Sequence, residues 1–492
     1  MYRTHVRPGT VVTVLASCGL VASFMQTLVI PLIPSLPAIL GTDASDASWV
    51  ITVTLLAAAV ITPVSGRLGD LYGKRRVLLV SVTVLIAGSM VSSFASSLVP
   101  MVIGRGLQGC AMGVIPLGIS IMRDILPADR VGTAIAMMSA TLGVGGAIGL
   151  PLSAVIAESS SWRVLFWLAA GLGAVCLVLL WTVVPDSSIR APGRFDVLGM
   201  LGLAAGLVCL LLAITKGGTW GWGSPTTLSL FAAAVAVLVL WGFYQLRTRY
   251  PLVDLRVSAR RPVLFTNLAS VLVGFSMYSM SLVLPQLLQA PAFTGYGLGQ
   301  SMVAAGLWMA PGGLVMMALS PVSARITRKR GPRTSLLVGA SIISVGYLVS
   351  TVLLHNAFEV MLAGVIVSAG VGIAYAAMPG LIMGSVPLHE TASANGLNSL
   401  ARSVGTSVSS AVIATLLAHM TITAGPLTVP SLTGFRVAFV IAAGGAALGV
   451  LVTLLVPRVR GRLGDGVNDS TDDSTDDSVA VVGPEDRREL QV

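Results

Sequence analysis

The chain has 492 residues, of which 55% are hydrophobic and 10% charged, and its formal net charge is +10. So apolar a surface could not be kept in water, which excludes a soluble globular enzyme and points to a polytopic membrane protein. The positive charge requires no nucleic acid, because basic loops against an anionic lipid leaflet account for it.

Runs of about 17 to 25 residues with few charges recur from Val11 to Val456. Backbone groups in lipid must be satisfied internally, so each run reads as a helix, and about fourteen are expected. The first, Val11 to Leu40, flows straight into further apolar segments and reads as a membrane helix, not a cleaved signal. It carries Gln26 and Thr27, and Pro31, Pro34 and Pro37 should loosen or kink its outer end.

The second span, Trp49 to Gly66, leads into Gly66-Arg-Leu-Gly-Asp-Leu-Tyr-Gly-Lys-Arg-Arg76, read as a short charged turn before the third span, Val77 to Ala95. The fourth, Met101 to Met122, holds Arg105 and, one helical turn on, Gln108, framed by Gly104, Gly106, Gly109 and Gly113. A guanidinium in the membrane costs at least about 2.5 kcal/mol unless it faces a partner or a water-filled cavity. Arg105 is therefore a functional candidate, with a structural arginine bonded to carbonyl groups as the alternative. The fifth span, Val131 to Ala157, contains Gly143, Gly145, Gly146, Gly149 and Pro151. These suit close helix packing and a proline bend. The sixth starts after Trp162 and Arg163 and ends near Pro185.

Between Asp186 and Asp196 the chain is polar; then Val197 to Ile214 and Leu228 to Tyr244 supply two more spans, joined by a loop from Lys216 to Pro225 with Trp220 and Trp222 at interfacial depth. Basic residues from Arg247 to Arg261 precede a second half, whose thirteenth span carries Asn395, Gly396, Asn398, Arg402 and Gly405. That span reads either as a cavity wall or as simple small-residue packing. The expected organisation is a six-helix bundle over 1–185, a linker with two additional helices over 186–261 and a second six-helix bundle over 262–457. An acidic low-complexity tail over 458–492 should be disordered and dispensable for transport.

The charged turn recurs. Ala324-Arg-Ile-Thr-Arg328 with Gly331-Pro-Arg333 repeats Gly66-Arg-Leu-Gly-Asp70 with Gly73-Lys-Arg75 at one constant offset, except that Arg328 stands at the Asp70 position. Eight spans separate the copies, as a parallel six-plus-six repeat with two helices inserted would give. With the amino terminus inside, 25 of the 30 Lys and Arg residues fall on the inner side, Arg163, Lys216 and Arg436 fall outside, and Arg105 and Arg402 lie within spans. The positive-inside rule thus expects both termini in the cytoplasm. Cys18, Cys110, Cys176 and Cys209 fall in apolar runs, and His5, His355, His389 and His419 lack ligand spacing, so no disulfide or metal centre is indicated.

The glycine-framed turn with Asp70, Arg105 with Gln108 and Gly109, and the glycine-rich fifth span ending Gly149-Leu-Pro151 together resemble the major facilitator superfamily. The two central spans introduced by Arg194-Phe-Asp196 make the chain similar to its fourteen-helix drug:proton antiporter branch. The resemblance covers roughly Val11 to Val456 and implies an all-α integral membrane protein whose bundles rock around a midplane site. It implies a conformational latch of Gly66, Asp70, Gly73 and Arg75, proton-coupling or cavity roles for Arg105, Gln108, Gln26, Asn398 and Arg402, and an antiporter-type helix kink at Gly145, Gly149 and Pro151. The chain departs from that pattern twice: Met25 stands where members of the branch often carry an acid, and Leu150 separates Gly149 from Pro151.

The carboxylates up to Val456 all fall near expected helix ends, leaving Asp70, Glu158 and Asp46 as candidates for proton exchange. Two embedded arginines and no embedded acid favour neutral or anionic amphiphiles over dications. The expected function is proton-coupled efflux of drugs or secondary metabolites from the plasma membrane by a monomer. It needs no cofactor beyond the proton gradient. The alternative is a proton-coupled or facilitative importer of a small nutrient, and a transport-dead sensor is a third class. Gly73-Lys74 runs into Arg75, not Ser or Thr, so no ATP-binding phosphate loop is present, and no histidine is placed for a serine-type hydrolase.

Overall fold

A computed structural model describes residues 8–32, 36–42, 44–187, 189–424 and 427–457. Arg3, Arg7, Pro34, Asp43 and the tail 458–492 lie outside the described residues. Among the described residues, fourteen helices are long and apolar enough to cross a membrane. The first six are α1 (Pro8–Thr27), α2 (Trp49–Tyr72), α3 (Lys74–Ser93), α4 (Leu98–Ile125), α5 (Ala128–Ser159) and α6 (Arg163–Val183). The inserted pair is α7 (Val197–Trp220) and α8 (Pro225–Arg247). The last six are α9 (Arg261–Gln289), α10 (Met302–Arg330), α11 (Pro332–Ser350), α12 (Ala357–Met383), α13 (Thr391–His419) and α14 (Leu432–Leu454). Between α13 and α14 a two-stranded antiparallel hairpin, β1 (Thr421–Ala424) and β2 (Leu427–Pro430), is the only sheet among the described residues.

Three boundaries differ from the sequence expectation. The first helix stops at Thr27, and the chain continues as a 3-10 turn at Ile30–Leu32 and a short helix at Leu36–Leu40. The clustered prolines end the helix rather than kink it. The stretch Gly66 to Arg76 is not a loop: α2 runs through Asp70 to Tyr72 and α3 starts at Lys74, leaving Gly73 alone at the corner with φ 107°. That left-handed backbone is open to glycine at little cost, and Gly73 N–H bonds to the Gly69 carbonyl to cap α2. Gly331 repeats this with φ 84° and a bond to Thr327, so the two copies share a backbone as well as a sequence pattern. Lastly, Lys216 lies inside α7, not in a loop.

Helices in lipid gain little from hydrophobic burial against each other, so close van der Waals approach at small residues carries the packing. Within the second half, Gly405 of α13 lies against the Val271 carbonyl of α9, and Gly339 of α11 lies against Gly370 of α12. Between the halves, α2 packs on α13 and α5 on α10. Gly66 and Gly396 carry the first contact, meeting Ala392 and Thr62; Gly143 and Gly313 carry the second. At α7, Leu203, Leu207 and Leu211 pack with Leu56 and Ala59 of α2 and Leu400 of α13. Helix α8 is the least covered of the fourteen.

Candidate functional site

At the end of the bundle rich in arginine, here called the basic face, Asp70 is fully buried. Its carboxylate accepts hydrogen bonds from the backbone N–H of Ala392 (3.2 Å) and Ser393 (2.8 Å), the first turn of α13 in the opposite half. Free N–H groups and the helix dipole make that terminus a good place for an anion. Lys74, also fully buried, bonds both Asp124 oxygens (2.8 and 3.0 Å) and Thr391 Oγ1 (3.1 Å), and its Nζ lies 4.0 Å from Asp70. Ser187 donates to Asp124 (2.8 Å), and Ala191 N–H bonds to the Asp70 backbone carbonyl (2.7 Å). A Cβ on Gly66 would collide with the Ala392 carbonyl, so glycine permits the approach that brings Asp70 to its partners. Arg75 bonds the Trp181 carbonyl at the end of α6.

The sequence singled out Gly66, Asp70, Gly73 and Arg75 but missed Lys74, Asp124, Thr391 and Ser187 as one network. Asp124 is the only carboxylate in α4, at its basic end, and that lone charge was the available signal.

Arg105 is 2% exposed and sits among neutral acceptors. Its guanidinium donates to Gln108 Oε1 (2.6 Å) and to the carbonyls of Met25 (3.3 Å) and Val50 (3.4 Å). Gln108 then donates to Ser89 (2.8 Å), so the Arg105–Gln108 pair ties α1, α2, α3 and α4 together. The guanidinium meets carbonyl groups, not an open cavity, and the Met25 carbonyl receives it where the related branch often has an acid. Gln26 is not part of this cluster; it is exposed, with Nε2 against the Met112 sulfur at 3.2 Å.

In the second half, Arg402 donates to Asn398 Oδ1 and Ser399 Oγ (2.6 Å), and its guanidinium lies over the Tyr375 ring at 4.7 Å. Asn398 donates onward to Asn267 (2.9 Å) and Ser270 (2.7 Å). Asn395 reaches across to Ser120 of α4 at 3.4 Å while its buried Oδ1 has no partner. Asn398 and Arg402 thus meet each other but not Arg105, and each half holds its own arginine network.

On α5, Gly145 faces Ser23 and Gly149 faces Thr27 and Phe24 of α1, and Thr27 Oγ1 reaches the Gly145 carbonyl at 3.5 Å. Pro151 lies against Gly306 of α10, and the helix is continuous through it. The glycines seat α5 on its own bundle, while Pro151 belongs to the contact with the other.

The family model described as Major Facilitator Superfamily matches residues 15–410. The chain is 26% identical to the uncharacterized MFS-type transporter YcnB of Bacillus subtilis, over 88% of this chain and 92% of that one. It is 26% identical to the tetracenomycin C resistance and export protein of Streptomyces glaucescens, over 84% and 76%. The crystal structure of the human organic anion transporter MFSD10 shares its fold with TM-score 0.66 at 16% identity, over 91% of this chain and 99% of that one. A match that runs from the first helix into the thirteenth takes in both glycine turns and both arginine networks, and the chain belongs to the major facilitator superfamily of membrane transporters.

Proposed function

We propose that this transporter exports amphiphilic drugs or secondary metabolites, neutral or anionic, in exchange for protons by alternating access. The observation that carries the reading is the Asp70 carboxylate held by the α13 N-terminus across the two halves. A bond of that kind, made in one arrangement of the bundles and broken in the other, acts as a latch. The positive-inside rule turns the basic face to the cytoplasm, with both termini there and the protein in the plasma membrane, so the latch closes the cytoplasmic side. Export is supported by the relative named for tetracenomycin resistance and export. The preference for neutral or anionic cargo is supported by Arg105 and Arg402, whose hydrogen-bond partners are all uncharged. Asp70, Asp46 and Glu158 remain the candidate proton carriers, and the protein works as a monomer with no cofactor.

The test is transport in proteoliposomes under an imposed pH gradient. Wild type should move an amphiphilic substrate against its gradient, and collapsing the pH difference should stop it. Asp70→Asn and Arg105→Ala should each lower the rate. Normal transport by Arg105→Ala would confine Arg105 to holding helices together. Faster inward uptake of a single metabolite would replace export with import.

A further inference from the structure

The inserted pair α7–α8 has polar attachments at both membrane faces, and they lead to the first bundle. At the face opposite the basic one, Lys216 of α7 is 2% exposed. Its ammonium donates to Ser48 Oγ at 2.5 Å and sits over the Trp49 ring at 4.7 Å, both at the start of α2, with the charge of Asp46 acting on it. At the basic face, the segment leading into α7 bonds to the first bundle through Ser187 to Asp124 and Ala191 to Asp70.

The pair itself is welded at its basic end. Asp196 caps α7 through Gly199 N–H (2.8 Å) and accepts from Tyr244 (3.0 Å) and Gln245 (3.0 Å) of α8. Trp241 bonds the Gly199 carbonyl at 2.7 Å, and Gln245 receives the Leu252 N–H at 3.0 Å. The contacts between α7 and α13 are mostly of another kind, Leu203, Leu207 and Leu211 among Leu397, Leu400 and Val404, with Thr415 beside Gly218 near the opposite end. Directional bonds fail when partners shift by an ångström or two, whereas apolar side chains in lipid trade neighbours at little cost.

The chain also joins α8 to the second bundle covalently, so a change of allegiance must occur within that connection. Leu252 is bonded to Gln245 of α8, and with Val253 and Leu255 it packs in the apolar cluster that α7 shares with α2 and α13. Val257, four residues after Val253, packs with Val263, Ile382 and Val386 of the second bundle.

We propose that Lys216 is a positioning residue that fixes the inserted pair to the first bundle, so that the moving bodies divide between Val253 and Val257 and α7 slides over α13. The proposal rests on the alternating-access reading above. The test places nitroxides on genetically encoded ketone side chains, sparing the four native cysteines, at the exposed positions Thr226 (α8), Ser159 (first bundle) and His355 (second bundle). Distances are measured by double electron–electron resonance on the full-length protein in nanodiscs, at pH 5 and pH 8 and in an Asp70→Asn background.

Where Ser159–His355 changes, Thr226–His355 should change with it, by about 5 Å, the scale of a one-turn slip between helices. Thr226–Ser159 should stay fixed. A fixed Thr226–His355 with a changing Thr226–Ser159 would overturn the proposal alone. A Ser159–His355 distance constant under every condition would overturn alternating access, and the proposal with it. Lys216→Met should broaden the Thr226–Ser159 distribution and Lys216→Arg should restore it; an unchanged distribution in Lys216→Met would remove Lys216 from the role.

Discussion

The corner at Gly73 and the corner at Gly331 share a backbone and differ in what surrounds them. Each glycine adopts positive φ, each caps the preceding helix by bonding four residues back, and each is followed two residues later by an arginine that caps a neighbouring helix. Arg75 reaches Trp181 at the end of α6, and Arg333 reaches Thr453 and Leu454 at the end of α14. The differences lie on the helix before the corner. Asp70 is buried and bonded across the bundles, whereas Arg328 is exposed. Gly66 lets α2 meet the backbone of α13, whereas Ala324 meets Ala136 of α5 side chain to side chain. A cation could not take the place of Asp70 against a helix N-terminus, so the second copy keeps the corner as architecture and loses the bond.

The largest expected effect comes from emptying the Asp70 site. Asp70→Ala leaves the Ala392 and Ser393 N–H groups and Lys74 buried with one partner fewer, a loss on the order of 3–5 kcal/mol for a broken buried pair. Transport should fall well over tenfold, a factor that about 1.4 kcal/mol already produces. Reactivity of a cysteine placed at Ser393 toward a maleimide added on the side of the basic face should rise. Arg328→Asp, on an exposed position, should change stability by no more than about 0.5 kcal/mol. Equal losses from the two substitutions would end the claim that the copies differ.

Next in size is Gly66→Ala, which drives a methyl group into the Ala392 carbonyl and should cost about 1–3 kcal/mol, read as a lower thermal midpoint together with slower transport. The reciprocal Ala324→Gly loses helix propensity, about 0.5–1 kcal/mol, together with its methyl contact to Ala136, and should leave transport near wild type. The smallest effects should be the matched ones. Arg75→Ala and Arg333→Ala each remove hydrogen bonds to helix-end carbonyls that face solvent and should lower stability by only about 0.5 kcal/mol, to a similar extent. A large gap between them would mean that the shared architecture is shared in outline only.

Much of this contrast could be read from residues in order. The fourteen apolar runs, the constant offset between the copies and the exchange of Asp70 for Arg328 are all visible in the chain. The helical path of Gly66 to Tyr72 was not, because charged residues after an apolar run look like a loop until burial in a second helix gives them partners. Lys216 looks like a loop residue for the same reason: its stem lies along α7 and its ammonium is satisfied by Ser48 and Trp49, about 170 residues away in sequence. The acceptors of Arg105 are mostly backbone carbonyls, which every residue carries, so no pattern of residue types announces them. Gln26 and Arg105 are both polar within spans, yet α1 turns Gln26 away while its Met25 carbonyl faces the guanidinium.

The two embedded arginines have a consequence for the energetics of the cycle. Among the described residues neither is paired with a carboxylate, so each remains a charge inside the bilayer's electric field. Carrying one elementary charge across the whole field is worth about 2.3 kcal/mol per 100 mV, and a rocking motion that moved both guanidinium groups through a tenth of it would contribute roughly 0.5 kcal/mol. Turnover of a neutral cargo would then depend on membrane voltage even at equal pH on both sides, because the protein's own charges would do electrical work as the bundles tilt.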